Sequence, residues 1–388
     1  MVQIFPKLRQ LNSNLNFTKS AFTKSGFRHV TNYINGLIAV NRKTIKSISR
    51  NSIDEKNHNA IQKLLQKGKF DQELLEQRYI KKLKYLFKSL KVTLIFDDTL
   101  HQRFGKKVEG VQSHKNHASG KSYIYGHQYF TAMLIAGNFE FPLFPKLFDC
   151  QSISKIDMAY NLIQGISTQI KLTNVLCDSW YSDVKIMKLC REKRIRIICG
   201  IKTNRKIKLR YKQKYRKLSQ FSIENPPKKD FIIDENYYKI QEYNLHLNKF
   251  PRVKMLISQE YNHENWSNHF HLISSIQSDS IIDIIRTYNL RWIIETFHRD
   301  IKQNLGFNKC FLRKKTSIVR HSILVSIAYI ILKMFMLSQG MRMTIGECIE
   351  YITNREFNEF MQKVIEIEDK MERIERYSKI FKKEIAQT

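Results

Sequence analysis

Apolar residues recur at helical spacing over residues 27–40 (FRHVTNYINGLIAV), with a break expected near Gly36. The next ten residues, NRKTIKSISR, predict a short basic helix over 44–49 with Asn41 as its N-cap. HNAIQKLLQKG and DQELLEQRYIKKLKYLFKSL continue the helical period, the second capped by Asp71. At residue 91 the period changes. KVTLIFDDT reads as a buried strand ending in Asp97 and Asp98, and YIYGHQYFTAMLIAG as a strand pair. A helix over 151–172 precedes NVLCDSWYS, a short apolar strand ending at Asp178. DVKIMKLCREK is then helical, and IRIICGIKTN is a third strand. Strands alternating with helices predict an α/β sheet with a parallel part.

The later pattern is more broken. Lys206, Lys208, Arg210, Lys212 and Lys214 alternate with Ile207, Leu209 and Tyr211, so a strand here would carry five cations on one face. DFIIDENYYKIQEYNLHL, RVKMLISQE and HFHLISSI predict an antiparallel β insertion. Residues 280–305 (SIIDIIRTYNLRWIIETFHRDIKQNL) then read as one helix, and 317–336 as a long apolar core helix. In the tail, Phe357, Phe360, Val364, Ile367, Met371, Ile374 and Phe381 follow alternating spacings of three and four, with only Ser378 off pattern, which suits a helix packed on the body better than a short coiled coil.

Charge adds a partner to this outline. Among 388 residues, 67 Lys and Arg face 35 Asp and Glu, a net +32 spread along the chain, so a polyanion is expected and nucleic acid fits better than a membrane surface. Residues 1–50 hold nine basic residues and no acid, so the two short helices there suggest a helix-turn-helix-like unit in contact with DNA. The 42% hydrophobic content argues against disorder. No run approaches the roughly 18 apolar residues of a membrane span, and MVQIFPKLRQ lacks a signal-peptide core. The six cysteines form no CxxC pair and read as reduced core residues of an intracellular protein. His114 and His117 lack acidic or cysteine partners at zinc spacing, and phosphate contact or a plain loop is the better reading.

The candidate chemistry lies in acids. On a continuous helix Tyr288, Arg291, Glu295 and Lys302 fall within an arc of about 60°. A solvated face pairing Glu295 with Arg291 and Arg299 explains that stripe alone. Asp97 or Asp98 and Asp178, at strand ends, belong to the ligand-binding edge of an α/β sheet. With Glu295 they make a set of hard oxygen donors suited to two Mg²⁺ or Mn²⁺ ions, as in displacement at phosphorus.

These residues resemble the DDE transposases of bacterial insertion sequences, and more narrowly the insertion sequence 4-like group marked by Tyr-x2-Arg-x3-Glu-x6-Lys, which Tyr288, Arg291, Glu295 and Lys302 match without a gap. IFDDT and LCDSWY match the strands of the first and second aspartates, and the likeness extends over about residues 25–335. It implies a ribonuclease H-like mixed sheet with flanking helices, interrupted by a β-rich insertion and preceded by a helical region. The corresponding division is 1–90 for DNA-end binding, 91–205 and 276–340 for the two parts of the core, 206–275 for the insertion and 341–388 for a helical tail. The activity implied is cleavage of double-stranded DNA at the element's terminal inverted repeats and strand transfer into target DNA, by a homodimer acting at the cytoplasmic nucleoid. Asp97, Asp178 and Glu295 would carry the metals. Tyr288, Arg291 and Lys302 would hold terminal phosphates, and Trp266 of the insertion a flipped base. The first aspartate stays open: Asp-x-Thr picks Asp97, and direct adjacency to Thr99 picks Asp98. A catalytically inactive DNA-binding relative and a structure-selective nuclease are the rival readings.

Overall fold

The computed structural model describes residues 8–52, 58–105, 107–115, 123–262, 264–366 and 374–378. Its centre is a 13-stranded sheet. The strands are β1 (Val92–Gln102), β2 (Gln112–Lys115), β3 (Tyr123–Ala136), β4 (Phe139–Pro142), β5 (Lys146–Leu147), β6 (Leu172–Cys177), β7 (Arg196–Gly200), β8 (Lys206–Lys208), β9 (Arg216–Lys217), β10 (Lys229–Ile233), β11 (Asn236–Leu247), β12 (Phe250–Glu260) and β13 (Phe270–Ser274). They run in the order β2-β3-β1-β6-β7-β13-β12-β11-β8-β9, with β4 and β5 on β3 and β10 on β11. β1 is antiparallel to β3 and parallel to β6, which is parallel to β7. This is the expected ribonuclease H-like mixed sheet, and the insertion extends it through β13, which pairs with β7. The apolar runs VTLIF, VLC and IICG are buried, as strands covered on both faces require.

The helices are α1 (Arg9–Asn12), α2 (Lys24–Ala39), α3 (Ile45–Asn51), α4 (His58–Lys67), α5 (Gln72–Leu86), α6 (Lys155–Ser167), α7 (Val184–Glu192), α8 (Leu218–Glu224), α9 (Ile281–Asn289), α10 (Trp292–Gln303), α11 (Lys315–Ser338) and α12 (Ile345–Ile365). α11 is long and apolar enough to cross a membrane by length and composition, but 83% of its apolar window is buried in the fold. It is the core helix its pattern promised, and it packs against α2, α4, α12 and β4.

Several local expectations change. α2 runs unbroken through Gly36, whose role is close approach: a Cβ there would stand 2.2 Å from Ile48 Cγ2 on α3. The cap of α3 is Thr44, not Asn41; its hydroxyl accepts from Ser47 N. The 123–136 stretch is one strand of 14 residues, and its glycine is no break, because β3 lies between β1 and β2 there. The five alternating cations do not share a strand face. Only Lys206–Lys208 is extended, and 209–215 forms the turn of the β8–β9 hairpin, with Lys208 Nζ donating to Tyr211 O. Repulsion in a row of cations is relieved by turning it. Cys150 is exposed, while the other five cysteines are buried. α12 packs on the body, where buried Glu356 accepts from Gln10 N at 2.9 Å. Ile367, Met371 and Phe381 of the tail pattern, and His117, lie outside the described residues.

Candidate active site

β1 does not stop at its two acids. Its parallel pairing with β6 ends at Ile95↔Leu176, while its antiparallel pairing with β3 continues to Gln102. Asp97 and Asp98 therefore sit where β1 parts from β6, and Asp178 follows Cys177, the last residue of β6. Separation of two parallel strands opens a crevice at their carboxyl ends.

Alternation sends the two β1 acids to opposite faces. Asp98 is engaged by Lys155 Nζ of α6 at 2.6 Å and by the hydroxyl of Tyr181, which donates at 2.7 Å. Tyr181 is buried against Phe96 and Phe130, so this face is fastened to the core. Asp98→Asn is expected to destabilise the fold by about 2 kcal/mol, because the half-buried ammonium of Lys155 loses its counter-charge; urea unfolding reads it directly.

Asp97 faces α10. Its carboxylate accepts from Asp98 N at 2.7 Å and from Arg291 Nη1 at 3.3 Å. The same guanidinium donates through Nη2 to Glu295 Oε1 at 2.5 Å, so Arg291 bridges Asp97 and Glu295. Burial first, with Asp178 and Asp98 nearby, pushes the Asp97 carboxyl up to about 7 against the downward pull of the Asp98 amide and Arg291. Burial also raises Asp178, opposed by the amides of Trp180 and Tyr181 that its carboxylate accepts.

The stretch expected as one helix is two. α9 ends at Asn289 and α10 begins at Trp292, and at the joint the backbone bonds tighten to i→i+3: Arg291 N to Tyr288 O at 2.9 Å, Ile294 N to Arg291 O at 3.2 Å. Such tightening marks a strained or functional joint. The stripe is therefore divided. Tyr288 is buried in α9 against Phe270, and Arg291 stands at the N-cap of α10 with Glu295 one turn on. Lys302 is half-buried, its ammonium lowered by burial, close enough to His298 and His101 to disfavour their charging. The Glu295–Arg291 ion pair of the surface reading is present, but Arg299 has no part in it among the described residues.

Two residues that sequence reading missed fix this geometry. Lys155 carries no signal in the chain. His298 stands three residues after Glu295 on the inner side of α10. Thr131 of β3 donates its hydroxyl proton to the backbone Asp97 O at 2.9 Å, so His298 Nε2, 2.7 Å from Thr131 Oγ1, is the donor to Thr131. Burial holds that imidazole down to about 3 and so neutral. The chain Asp97–Thr131–His298 sets α10 against β1 and thereby Glu295 beside Asp97.

Of the predicted basic residues, Lys206 lines a cavity with Ser179 and Trp180, just after Asp178; Lys208, Arg210, Lys212 and Lys214 follow it into the β8–β9 hairpin, and Trp266 lies elsewhere in the insertion. Trp266 is 37% exposed, 5.3 Å from the Tyr261 ring, with Lys239 Nζ 4.6 Å from its centroid, in a cleft of about 560 Å³. Its contacts are with the insertion's own residues. Among the described residues no three of His, Cys, Asp and Glu gather closely enough to hold a metal ion; a guanidinium separates Glu295 from Asp97. The donor chemistry nevertheless fits a hard cation, since neighbouring buried carboxylates repel unless a positive charge neutralises them.

A family described as "Transposase DDE domain" matches residues 88–331, and one described as "DDE superfamily endonuclease" matches residues 18–148. The chain belongs to the DDE transposases. The first of these matches runs from before β1 into α11 and includes every residue of the crevice. Among solved structures the transposase is similar to piggyBac transposase, seen by cryo-EM in a synaptic complex with hairpin DNA. The TM-score is 0.50 at 12% identity, covering 96% of this chain and 81% of that one, a likeness of fold. No curated protein matches the sequence.

Proposed function

We propose that this transposase cuts double-stranded DNA at the terminal inverted repeats of its own element and transfers the freed strands to target DNA, with Asp97, Asp178 and Glu295 as its metal-binding carboxylates. The observation that carries the reading is the junction of β1, β6 and α10, where one guanidinium reaches both Asp97 and Glu295 beside Asp178. Asp97, Asp178 and Glu295 would hold Mg²⁺ or Mn²⁺ ions, which when bound would supply activation of an attacking oxygen and stabilisation of the leaving one. The protein's own groups do the rest. Arg291 turns from the carboxylates to a DNA phosphate, a fork suited to both. The Tyr288 ring lies 5.8 Å from the Arg291 guanidinium, and Lys302 follows Glu295 along α10, which supports placing the chain in the Tyr-Arg-Glu-Lys, insertion sequence 4-like group. Asp98, held by Lys155 and Tyr181, fixes the strand and leaves metal binding to Asp97.

The net charge of +32 supports a DNA partner, and pairing of two element ends calls for a homodimer. The exposed cations Arg42, Lys46 and Arg50, on and just before α3, offer a phosphate-binding face for the end. The test is cleavage of DNA carrying the element's own terminal repeats in Mg²⁺. Glu295→Gln is expected to lower cleavage at least about 10³-fold with binding of the same DNA unchanged. A glutamine variant that cuts at the wild-type rate overturns the assignment. Cleavage independent of end sequence, without strand transfer, favours a nuclease.

A further inference from the structure

The amino edge of β7 carries a separate concentration of charge, away from the crevice. A cavity of about 670 Å³ opens there, lined by Arg191, Arg194, Arg196 and Arg252 with Gln277 and Ser278, and no acid lines it. The four arginines come from different places in the chain: Arg191 from the last turn of α7, Arg194 from the turn after it, Arg196 from the start of β7 and Arg252 from β12. Asp279 and Asp283 neutralise Arg196, at 2.7 and 2.6 Å. Arg191, Arg194 and Arg252 are exposed and form no ion pair among the described residues. The negative end of α7 accounts for a cation at Arg191, but not for Arg252, which reaches the same cavity from another element. Arg194 and Arg252 also hold left-handed backbone, φ 57° and 40°, a conformation that favours glycine or asparagine. Guanidiniums gathered without a counter-charge repel one another unless an anion lies between them, and their planar forks match phosphate oxygens.

We propose that this cavity is a phosphate-binding site for duplex DNA, seated on a stretch other than the one in the crevice. Position separates the two. Arg196 pairs with Asn174 of the parallel strand β6, four residues before Asp178. At about 3.3 Å per residue that is roughly 13 Å along the strand. Arg252 lies at the same level, two residues before Lys254, which pairs with Ser274 and through it with Ile198. The arginines therefore stand at the opposite edge of the sheet from the carboxylates. A short duplex is a rod at this scale, with a persistence length of about 150 base pairs, and cannot turn round the sheet to fill both sites. The free charges sit at an exposed rim, where a double helix too wide to enter the cavity can lay its phosphates. That the polyanion is DNA rests on the function proposed above; the preference for phosphate does not.

The test uses the full chain, without divalent ions, and a short duplex of arbitrary sequence carrying photoreactive azidophenacyl groups on backbone phosphorothioates. Crosslinks are expected in the peptides that hold Arg191 to Arg196 and Arg252. Arg194→Gln combined with Arg252→Gln is expected to remove them, to weaken duplex binding about tenfold and to flatten its salt dependence by about two ions. Arg194→Lys combined with Arg252→Lys, which keeps the charge and loses the fork, is expected to retain the salt slope and lose part of the affinity. Thermal melting establishes that each variant is folded. A folded glutamine variant that keeps the crosslinks and the affinity overturns the proposal. Binding of inorganic pyrophosphate without any duplex crosslink at these peptides overturns it too, by making free phosphate the ligand. One duplex crosslinked both to these peptides and to α10 of the same chain overturns the separation of the two stretches. Cleavage by Glu295→Gln at the wild-type rate would remove the carboxylate assignment and leave this site standing, so the two fail separately.

Discussion

Asp97→Asn is expected to abolish end cleavage, a fall of at least about 10³-fold, and in the same protein to raise the stability of the metal-free fold at pH 8. The second effect follows from the position of the carboxyl. Burial raises it from its ordinary value of 3.8 to about 7. A group whose value is raised on folding favours the fold while it is protonated. Its contribution is complete below the unfolded value and is lost as pH climbs through about 7. At pH 8 the wild-type protein holds an ionised carboxylate in a site that disfavours it, and asparagine removes that charge at nearly constant volume. The gap corresponds to roughly 4 kcal/mol at most, and the partial solvent access of the site reduces the gain to on the order of 2 kcal/mol. Melting in EDTA at pH 5 and pH 8 checks it. The variant should lead at pH 8 and lose most of its lead at pH 5; a variant that melts lower at pH 8 contradicts the account. Asp98→Asn should behave in the opposite way, losing stability while retaining cleavage, because its partners are Lys155 and Tyr181.

Gly126→Ala is expected to cost about 3 kcal/mol, several degrees in melting temperature. A Cβ at this position would stand 2.4 Å from His101 O and 3.0 Å from its carbonyl carbon, both backbone atoms of the paired strand. No rotamer change relieves such a clash. The strands must separate or slip, and Gly126 pairs with Gln102 on one side and Gln112 on the other. A slip of β1 against β3 would move Asp97 away from Thr131, so residual activity should fall further than stability alone explains. Urea unfolding together with cleavage at a temperature where the variant is folded separates the two.

The sheet was legible in the chain where burial on both faces imposes long apolar runs, as at VTLIF, VLC and IICG, and the acids after them mark the crevice whichever of Asp97 and Asp98 is chosen. The distinction between those two was not legible, because it depends on which face of β1 meets α10 and which meets α6. Periodicity misled where one pattern fits two backbones. Lys206 to Lys214 alternates as a strand would, yet a seven-residue turn serves the same sequence and relieves the repulsion. The Tyr288–Lys302 spacing reads as one helical face, and nothing in it shows the tightened joint between α9 and α10 that divides the stripe. Gly36 read as a breaker because a glycine's use in close packing depends on its partner, Ile48, which local pattern does not show. His298 and Lys155 act through residues far off in sequence, Thr131 and Asp98.

The bridge from Arg291 to Asp97 joins positions 194 residues apart, and β13 can complete the edge of β7 only after the whole insertion has been made. α9 and α10 follow β13 directly. During synthesis the two aspartate strands therefore emerge and can pair long before the last acid leaves the ribosome. On the carboxylate assignment proposed above, a nascent chain would have no means of cutting DNA until translation had passed α10, which would tie the onset of DNA breakage to the near-completion of the protein.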